Sequence, residues 1–149
     1  MILLDVNVLV RAHRPELGCD GQTLAWLENA LVGDEPVAVW DSILITSFRV
    51  LTHPKLVREV DAPTKALQFL QEVRDASIVV GGKGRHWVLT RQLIESSRAT
   101  GNLVTDASIA AVAIENNCRL ATFDQDFARF PSLQWFEPPL GMSSAWEPQ

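Results

Sequence analysis

Cysteine is scarce in this chain: Cys19 and Cys118 are its two, far apart and without the spacing of a metal-ligand pair. A disulfide framework is therefore not expected, and a reducing cytoplasm is the compartment that fits. No window approaches the ~18 uninterrupted apolar residues of a membrane helix, so no span is expected. No basic segment followed by a long apolar stretch opens the chain, so no secretory signal is expected either. Positive charge is short as well. The formal net charge is −5 over 149 residues, which argues against a domain that grips nucleic acid by bulk positive potential. A nuclease stays compatible, because metal ions and a local basic patch can carry the phosphate contacts. His13, His53 and His86 are scattered without metal-ligand spacing, and read as structural or polymer-contacting. Gly81-Gly82-Lys83-Gly84 lacks the Gly-Lys-Ser/Thr ending of a phosphate loop, which excludes that form of nucleotide binding.

What is present is an ordinary globular composition, 47% apolar and 21% charged, at a length that supports one substantial core. Residues 2–4 read as a short buried strand, and the apolar run continues from Val6 to Ala12. A helix capped by Asp20 follows, with Leu24, Leu27 and Leu31 at helical spacing. Val37-Ala38-Val39 reads as a strand leading into a helix over 42–52, which Pro54 ends. Pro63 opens another helix with Ala66, Leu67, Leu70 and Val73 on its buried face. Residues 77–80 form a strand, and 86–99 a helix stopped by Gly101. Thr105 is placed to cap a helix over 106–116, before strands at 119–122 and 133–136. The five tryptophans read mostly as core or interface residues, except Trp146. This alternation predicts a single α/β domain over residues 1–140, a parallel sheet with helices on both faces. Residues 141–149 read as a weakly ordered tail.

The chemistry-bearing feature is a set of aspartates at the edges of hydrophobic strand patterns. Asp5 ends Met1-Ile2-Leu3-Leu4, Asp106 follows Leu103-Val104-Thr105, and Asp124 and Asp126 follow Leu120-Ala121-Thr122-Phe123. Asp41 is a fifth candidate. Loops after parallel strands open on one edge of the sheet, so three distant segments can deliver carboxylates to one crevice. Two carboxylates ~4 Å apart repel by about 4 kcal/mol at an effective dielectric near 20. Such a cluster calls for a cation, and its hard oxygens suit Mg²⁺ or Mn²⁺. Each aspartate also has a plainer role open to it: a turn cap for Asp5, a first-turn charge on the helix dipole for Asp106, an Asx turn for Asp124 and Asp126.

Over residues 1–140 the sequence resembles a PIN-domain ribonuclease of the VapC toxin type. The resemblance is carried by Leu4-Asp5-Val6-Asn7-Val8-Leu9, by Phe48-Arg49-Val50-Leu51-Thr52-His53-Pro54 and by Arg85-His86-Trp87. It continues in Gly101-Asn102-Leu103-Val104-Thr105-Asp106-Ala107 and in Thr122-Phe123-Asp124-Gln125-Asp126-Phe127 with Phe130-Pro131. It implies that Asp5, Asp106 and Asp124 are metal-site carboxylates, and that Asp126 is a further catalytic carboxylate, as another ligand, a partner of the ligands or the acceptor of the water's proton. Asn7 would orient Asp5 or a bound water, although a turn-forming role fits it equally. One position departs from the family. The usual glutamate three residues before the arginine is Thr46 here, which removes a full negative charge. Asp41, about 140° further round the helix, cannot substitute for it.

The same resemblance implies endonucleolytic hydrolysis of RNA by attack of water on a phosphodiester, assisted by Mg²⁺ or Mn²⁺. Lys83, Arg85 and Arg91, with Lys55 and Arg58, are candidates to position the RNA backbone; a solvated charged face is the plainer account of each. Transfer RNA is among the targets the family suggests. A homodimer and a VapB-type antitoxin are implied as partners, the antitoxin inserting an arginine into the acidic groove. Leu27, Leu31, Leu51 and Leu56 are candidates to line the apolar groove that receives it; core burial is the plainer account of each. The alternative in another class is a PIN domain that binds RNA or antitoxin with little catalysis, because of Thr46. A phosphotransfer receiver domain is excluded, since no lysine follows Thr122. A haloacid-dehalogenase-type phosphatase is excluded by Asn7, which stands where its general acid would be.

Overall fold

The computed structural model describes residues 1–17, 21–55 and 63–140. Cys19, Asp20, Leu56, Arg58 and the tail with Trp146 lie outside the described residues, so the readings placed on them stop at the sequence. Five strands form one sheet: β1 (Ile2–Leu4), β2 (Val37–Trp40), β3 (Ile78–Val80), β4 (Arg119–Ala121) and β5 (Trp135–Phe136). Their order is β3-β2-β1-β4-β5 and every pairing is parallel, as the strand–helix alternation predicts. Strands β1, β2 and β4 are apolar at nearly every position because helices cover both faces of a parallel sheet. Leu3, Leu4, Ala38, Val39, Leu120 and Ala121 are fully buried. Edge strand β3 has no such cover, and Ile78 and Val79 stay exposed.

The chain winds outward from β1 through β2 to β3, then returns across the sheet to β4. Right-handed crossovers therefore put the helices before β3 and those after it on opposite faces. The reversal lies between β1 and β4, which makes the C-terminal edge of that pair the natural crevice.

Helix α1 (Val6–His13) takes up the apolar run after β1. The side chain of Asp5 accepts from Val6 N at 2.7 Å and caps it. Val8, Leu9, Val10 and Ala12 are buried, so tertiary burial, not alternating polarity, makes this segment helical. Helices α2 (Gln22–Leu31), α3 (Asp41–Thr52) and α4 (Pro63–Asp75) follow expectation closely. His53 is extended before Pro54, the backbone state a following proline favours. Leu67 departs from the sequence reading, which set it on a buried face, whereas Leu27 and Leu51 follow the plainer one, core burial. Leu27 and Leu51 are core residues, 1% and 0% exposed, so neither can line a surface groove. Leu67 is 54% exposed, on the outer side of α4. Trp87, read as core or interface, has its ring exposed at the start of α5.

Around Asp106 the sequence reading needs correction. Helix α5 (His86–Ser97) is stopped by Arg98 in the left-handed region (φ 54°, ψ 40°), and Ala99 N donates back to Ile94 O at 3.0 Å. Gly101 does not stop α5. It opens α6 (Asn102–Glu115), at φ 59° and ψ −133°. Leu103-Val104-Thr105 is thus the first turn of α6 and not a strand, and Thr105 is no cap. The physical cause is the four-residue joint Arg98-Ala99-Thr100-Gly101: α5 and α6 pack as a helical hairpin, leaving no chain to enter the sheet. Strand β5 is also shorter than expected, because Leu133 N is used in a turn to Phe130 O.

Candidate active site

Asp5 sits one residue past β1 and is buried at 5% exposure. Three donors meet its carboxylate. Val6 N reaches Oδ1, Thr122 Oγ1 donates to Oδ2 at 2.7 Å, and Asn7 Nδ2 donates to Oδ2 at 3.3 Å. Asn7 also donates to Thr122 Oγ1 at 3.1 Å, and its Oδ1 accepts from Phe123 N at 3.1 Å. Asn7 and Thr122 thereby lock the end of β1 to the segment that leaves β4. Asp124 N closes the network on Thr122 Oγ1 at 3.0 Å, and Asp124 Oδ1 accepts from Asp126 N at 2.9 Å. Asp124 caps the 3₁₀ turn Gln125–Arg129, as an Asx turn would, and also lines the crevice.

Asp106 comes from α6, one turn inside it, on the stripe with Asn102, Thr105 and Ile109. Asp5, Asp106 and Asp124 line one cavity of about 440 Å³ at the C-terminal edge of the sheet. Trp40, Ser42, Thr46 and Arg49 form its α3 wall, with Val6, Val10, Ile43 and Val50 among the apolar lining. Asp106 accepts no hydrogen bond among the described residues. Its carboxyl is pushed up to about 7, first by burial and then by the charges of Asp124, Asp5 and Asp126. Asp5 is also raised, mainly by burial, against the lowering pull of Thr122 and Val6 N and with the Asp124 charge adding to the rise. These mutual shifts mark carboxylates close enough to disfavour one another's ionisation.

The remaining sequence candidates divide. Asp126 is exposed and outside the cavity lining, though Asp106 feels its charge. Thr46 lines the cavity, its hydroxyl donating to Ser42 O at 2.9 Å within α3. Asp41 points away to Arg74, at 2.8 and 3.2 Å, which holds its pKa low. Lys83, Arg85 and Arg91 do not line the cavity. The backbone N–H groups of Lys83 and Arg85 both donate to Glu115, and Arg91 pairs with Glu95 along α5. Three contributors were missed: Thr122, Trp40 and Arg49. Arg49 stood inside a quoted motif, and helical spacing from Ser42 and Thr46 was the signal that could have placed it on this wall.

The donors suit a hard divalent cation. They are carboxylate oxygens from three separate elements, and burial together with like charges raises two of them, a penalty that a cation would offset. As the side chains stand, no group of three or more His, Cys, Asp or Glu among the described residues is placed to hold a metal ion. Mg²⁺ does not require such a group, since it binds through one or two carboxylates and completes its shell with water and phosphate oxygens.

The fold and site together define a single-domain α/β protein with an acidic crevice at the reversal point of its parallel sheet. The PIN domain family matches over residues 2–133. The chain is 37% identical over 140 residues to VapC ribonuclease Mb2897 of Mycobacterium bovis, covering 93% of this chain and 95% of that protein. It is 34% identical over 143 residues to ribonuclease VapC25 of Mycobacterium tuberculosis, covering 94% of this chain and all of that protein. In three dimensions it is similar to VapBC2 from Rickettsia felis, solved bound to a DNA fragment from the promoter. That likeness has a TM-score of 0.70 at 19% identity and covers 92% of this chain and 98% of that one. The chain belongs to the PIN domain family, in its VapC branch.

Proposed function

We propose that this protein is a Mg²⁺- or Mn²⁺-dependent endoribonuclease, the toxin of a VapBC-type toxin–antitoxin pair. The observation that carries the proposal is the convergence of Asp5, Asp106 and Asp124 on one cavity in a chain whose relatives are named VapC ribonucleases. Asp5, Asp106 and Asp124 are the residues that would hold the ion. When bound, it supplies charge neutralisation at the phosphate and acidification of water. Asn7 and Thr122 hold Asp5 in one orientation. Asp126, outside the ligand set, is the candidate to accept a proton as water attacks phosphorus. The bond from phosphorus to the leaving ribose oxygen then breaks, and that oxygen takes up a proton. Binding by a non-catalytic domain is the weaker account, because the named relatives are ribonucleases and Thr46 still leaves three carboxylates in the cavity.

The acidic cavity also suits a cationic side chain from a VapB-type antitoxin, which would occupy the cation's place and block RNA. A homodimer is part of the same proposal. The decisive experiment incubates structured RNA, transfer RNA included, with wild type and Asp106→Asn, with and without Mg²⁺ or Mn²⁺. Cleavage confined to wild type with metal is expected. No cleavage by wild type, or equal cleavage by the variant, overturns the proposal.

A further inference from the structure

The cavity is larger than its carboxylates require. A phosphate with its ions fills one part of it, whereas about 440 Å³ is room of the size that encloses a whole small ligand. Its α3 wall runs from Trp40, just before the helix, to Arg49, nine residues on and about 13 Å along the axis. The Arg49 end packs with α1 through the cluster of Val6, Val10, Phe48 and Val50. The Trp40 end is built differently, by four separate segments around one indole.

Trp40 ends β2 and is half-buried, lining the cavity. Behind it, His86 meets the indole edge-on, with centroids 5.7 Å apart and planes at 68°. His86 is itself held by Ser108, whose carbonyl lies 3.1 Å and hydroxyl 3.3 Å from Nε2. Gly82 lets the imidazole approach, since a Cβ there would stand 2.8 Å from His86 Cγ, and a Cβ on Gly81 would reach 3.6 Å from Trp40 Nε1. The ring is therefore fixed from behind while part of it stays open to the cavity. Asn102 lines the same cavity and has no hydrogen-bond partner for its amide among the described residues.

We propose that Trp40 is the stacking surface for a base of a single-stranded RNA segment next to the bond that is cut. The inference rests on the ribonuclease reading above and adds the subsite that takes the nucleobase. Recognition of single-stranded RNA works by splaying bases onto aromatic side chains, and a rigid indole loses little freedom in doing so. Stacking tolerates any base, so Trp40 supplies affinity, while the amide of Asn102 is the group able to prefer one base edge.

The test couples the side chain to the base. Fluorescein-labelled decauridylate and the ribose–phosphate chain of the same length without bases are each bound by wild type, Trp40→Leu and Trp40→Phe. All three are made in the Asp106→Asn background, so that binding is read without cleavage. Trp40→Leu should weaken decauridylate binding by about 5- to 150-fold, the range of one stacked base. It should leave the baseless chain unchanged, and Trp40→Phe should retain most of the affinity. An equal loss on both chains reduces Trp40 to a prop for His86 and overturns the inference. Should Trp40→Leu fail to fold by circular dichroism, Trp40→Met, apolar and without a ring, decides: a loss on both chains alike, or on neither, is the overturning result. If the parent protein cleaves RNA but the coupling is absent, only the stacking role falls. If it neither cleaves nor binds decauridylate, the ribonuclease reading falls with it.

Discussion

A buried carboxylate with three donors is a different object from the exposed turn cap that Asp5 resembles in the sequence. Thr122 is the strongest of its partners, at 2.7 Å and fully buried. Replacing it with valine keeps the shape and removes the hydroxyl, leaving Asp5 Oδ2 short of a donor and Asp124 N without its acceptor. Thr122→Val should cost about 1–3 kcal/mol of stability, the usual penalty for orphaned buried polar groups, measurable by urea unfolding. Cleavage should also fall, with its pH profile displaced upward as Asp5 loses a bond that lowers its pKa. Thr46→Glu tests the opposite change. It restores a carboxylate to the cavity wall and should tighten Mg²⁺ binding roughly tenfold, ~1.4 kcal/mol, read by calorimetric titration. An unchanged affinity would mean that Thr46 lies too far from the ion to matter. Asp5 and Asp124 were legible because each follows an apolar run, and Asn7 from its place two residues after Asp5 in the PIN-like motif. Thr122 was not, because a threonine at a strand end looks like ordinary β-forming sequence, and its partner lies 117 residues away.

Among the elements, α6 decides where Asp106 stands. Its start depends on Gly101 at φ 59° and ψ −133°, a backbone state nearly closed to residues with a Cβ. Gly101→Ala should therefore destabilise by about 1–3 kcal/mol, seen as a lower Tm. It should also lower metal-dependent cleavage beyond what the lost stability explains, because the first turn of α6 carries Asn102 and leads into Asp106. A variant with normal activity and a lower Tm would show that α6 is placed by its packing alone. The strands, their parallel pairing and the helices α2 to α5 were readable from apolar periodicity and proline punctuation. The first turn of α6 was not, since Leu103-Val104-Thr105 has the composition of a strand and only the hairpin with α5 makes it helical. The run after Asp5 hid α1 for the same reason: with nearly every position apolar, period gives no answer and burial does.

For the molecule as a whole, the acidic crevice makes stability depend on pH and metal together. An ordinary aspartate titrates near 3.8, whereas Asp106 in the folded protein titrates at about 7. Between those values the folded state holds a proton that the unfolded chain has released. Stability of the metal-free protein should therefore fall as pH rises from about 4 to 7 and level off above it. Asp106 is only half-buried, so solvent screening reduces the loss to roughly 1–2 kcal/mol. Glu35, held at about 2 by hydrogen bonds from Arg119 and the N-terminal amine, acts in the other direction. Its stabilisation is present above the usual carboxylate range and is lost as pH drops from about 4.5 toward 2. The two trends place the metal-free optimum near pH 4.5–5, acidic for a protein. Mg²⁺ competes with the proton for the same oxygens, so it should raise Tm at pH 8 and do little at pH 5. Asp106→Asn has no proton to release and should flatten the metal-free curve between pH 5 and 8. Thermal melts of both proteins across that range, with EDTA and with Mg²⁺, read all of these terms. A wild-type curve that rises toward pH 8 without metal would show that the charges of Asp5, Asp106 and Asp124 do not oppose one another, and would remove the reason for a cation to bind there.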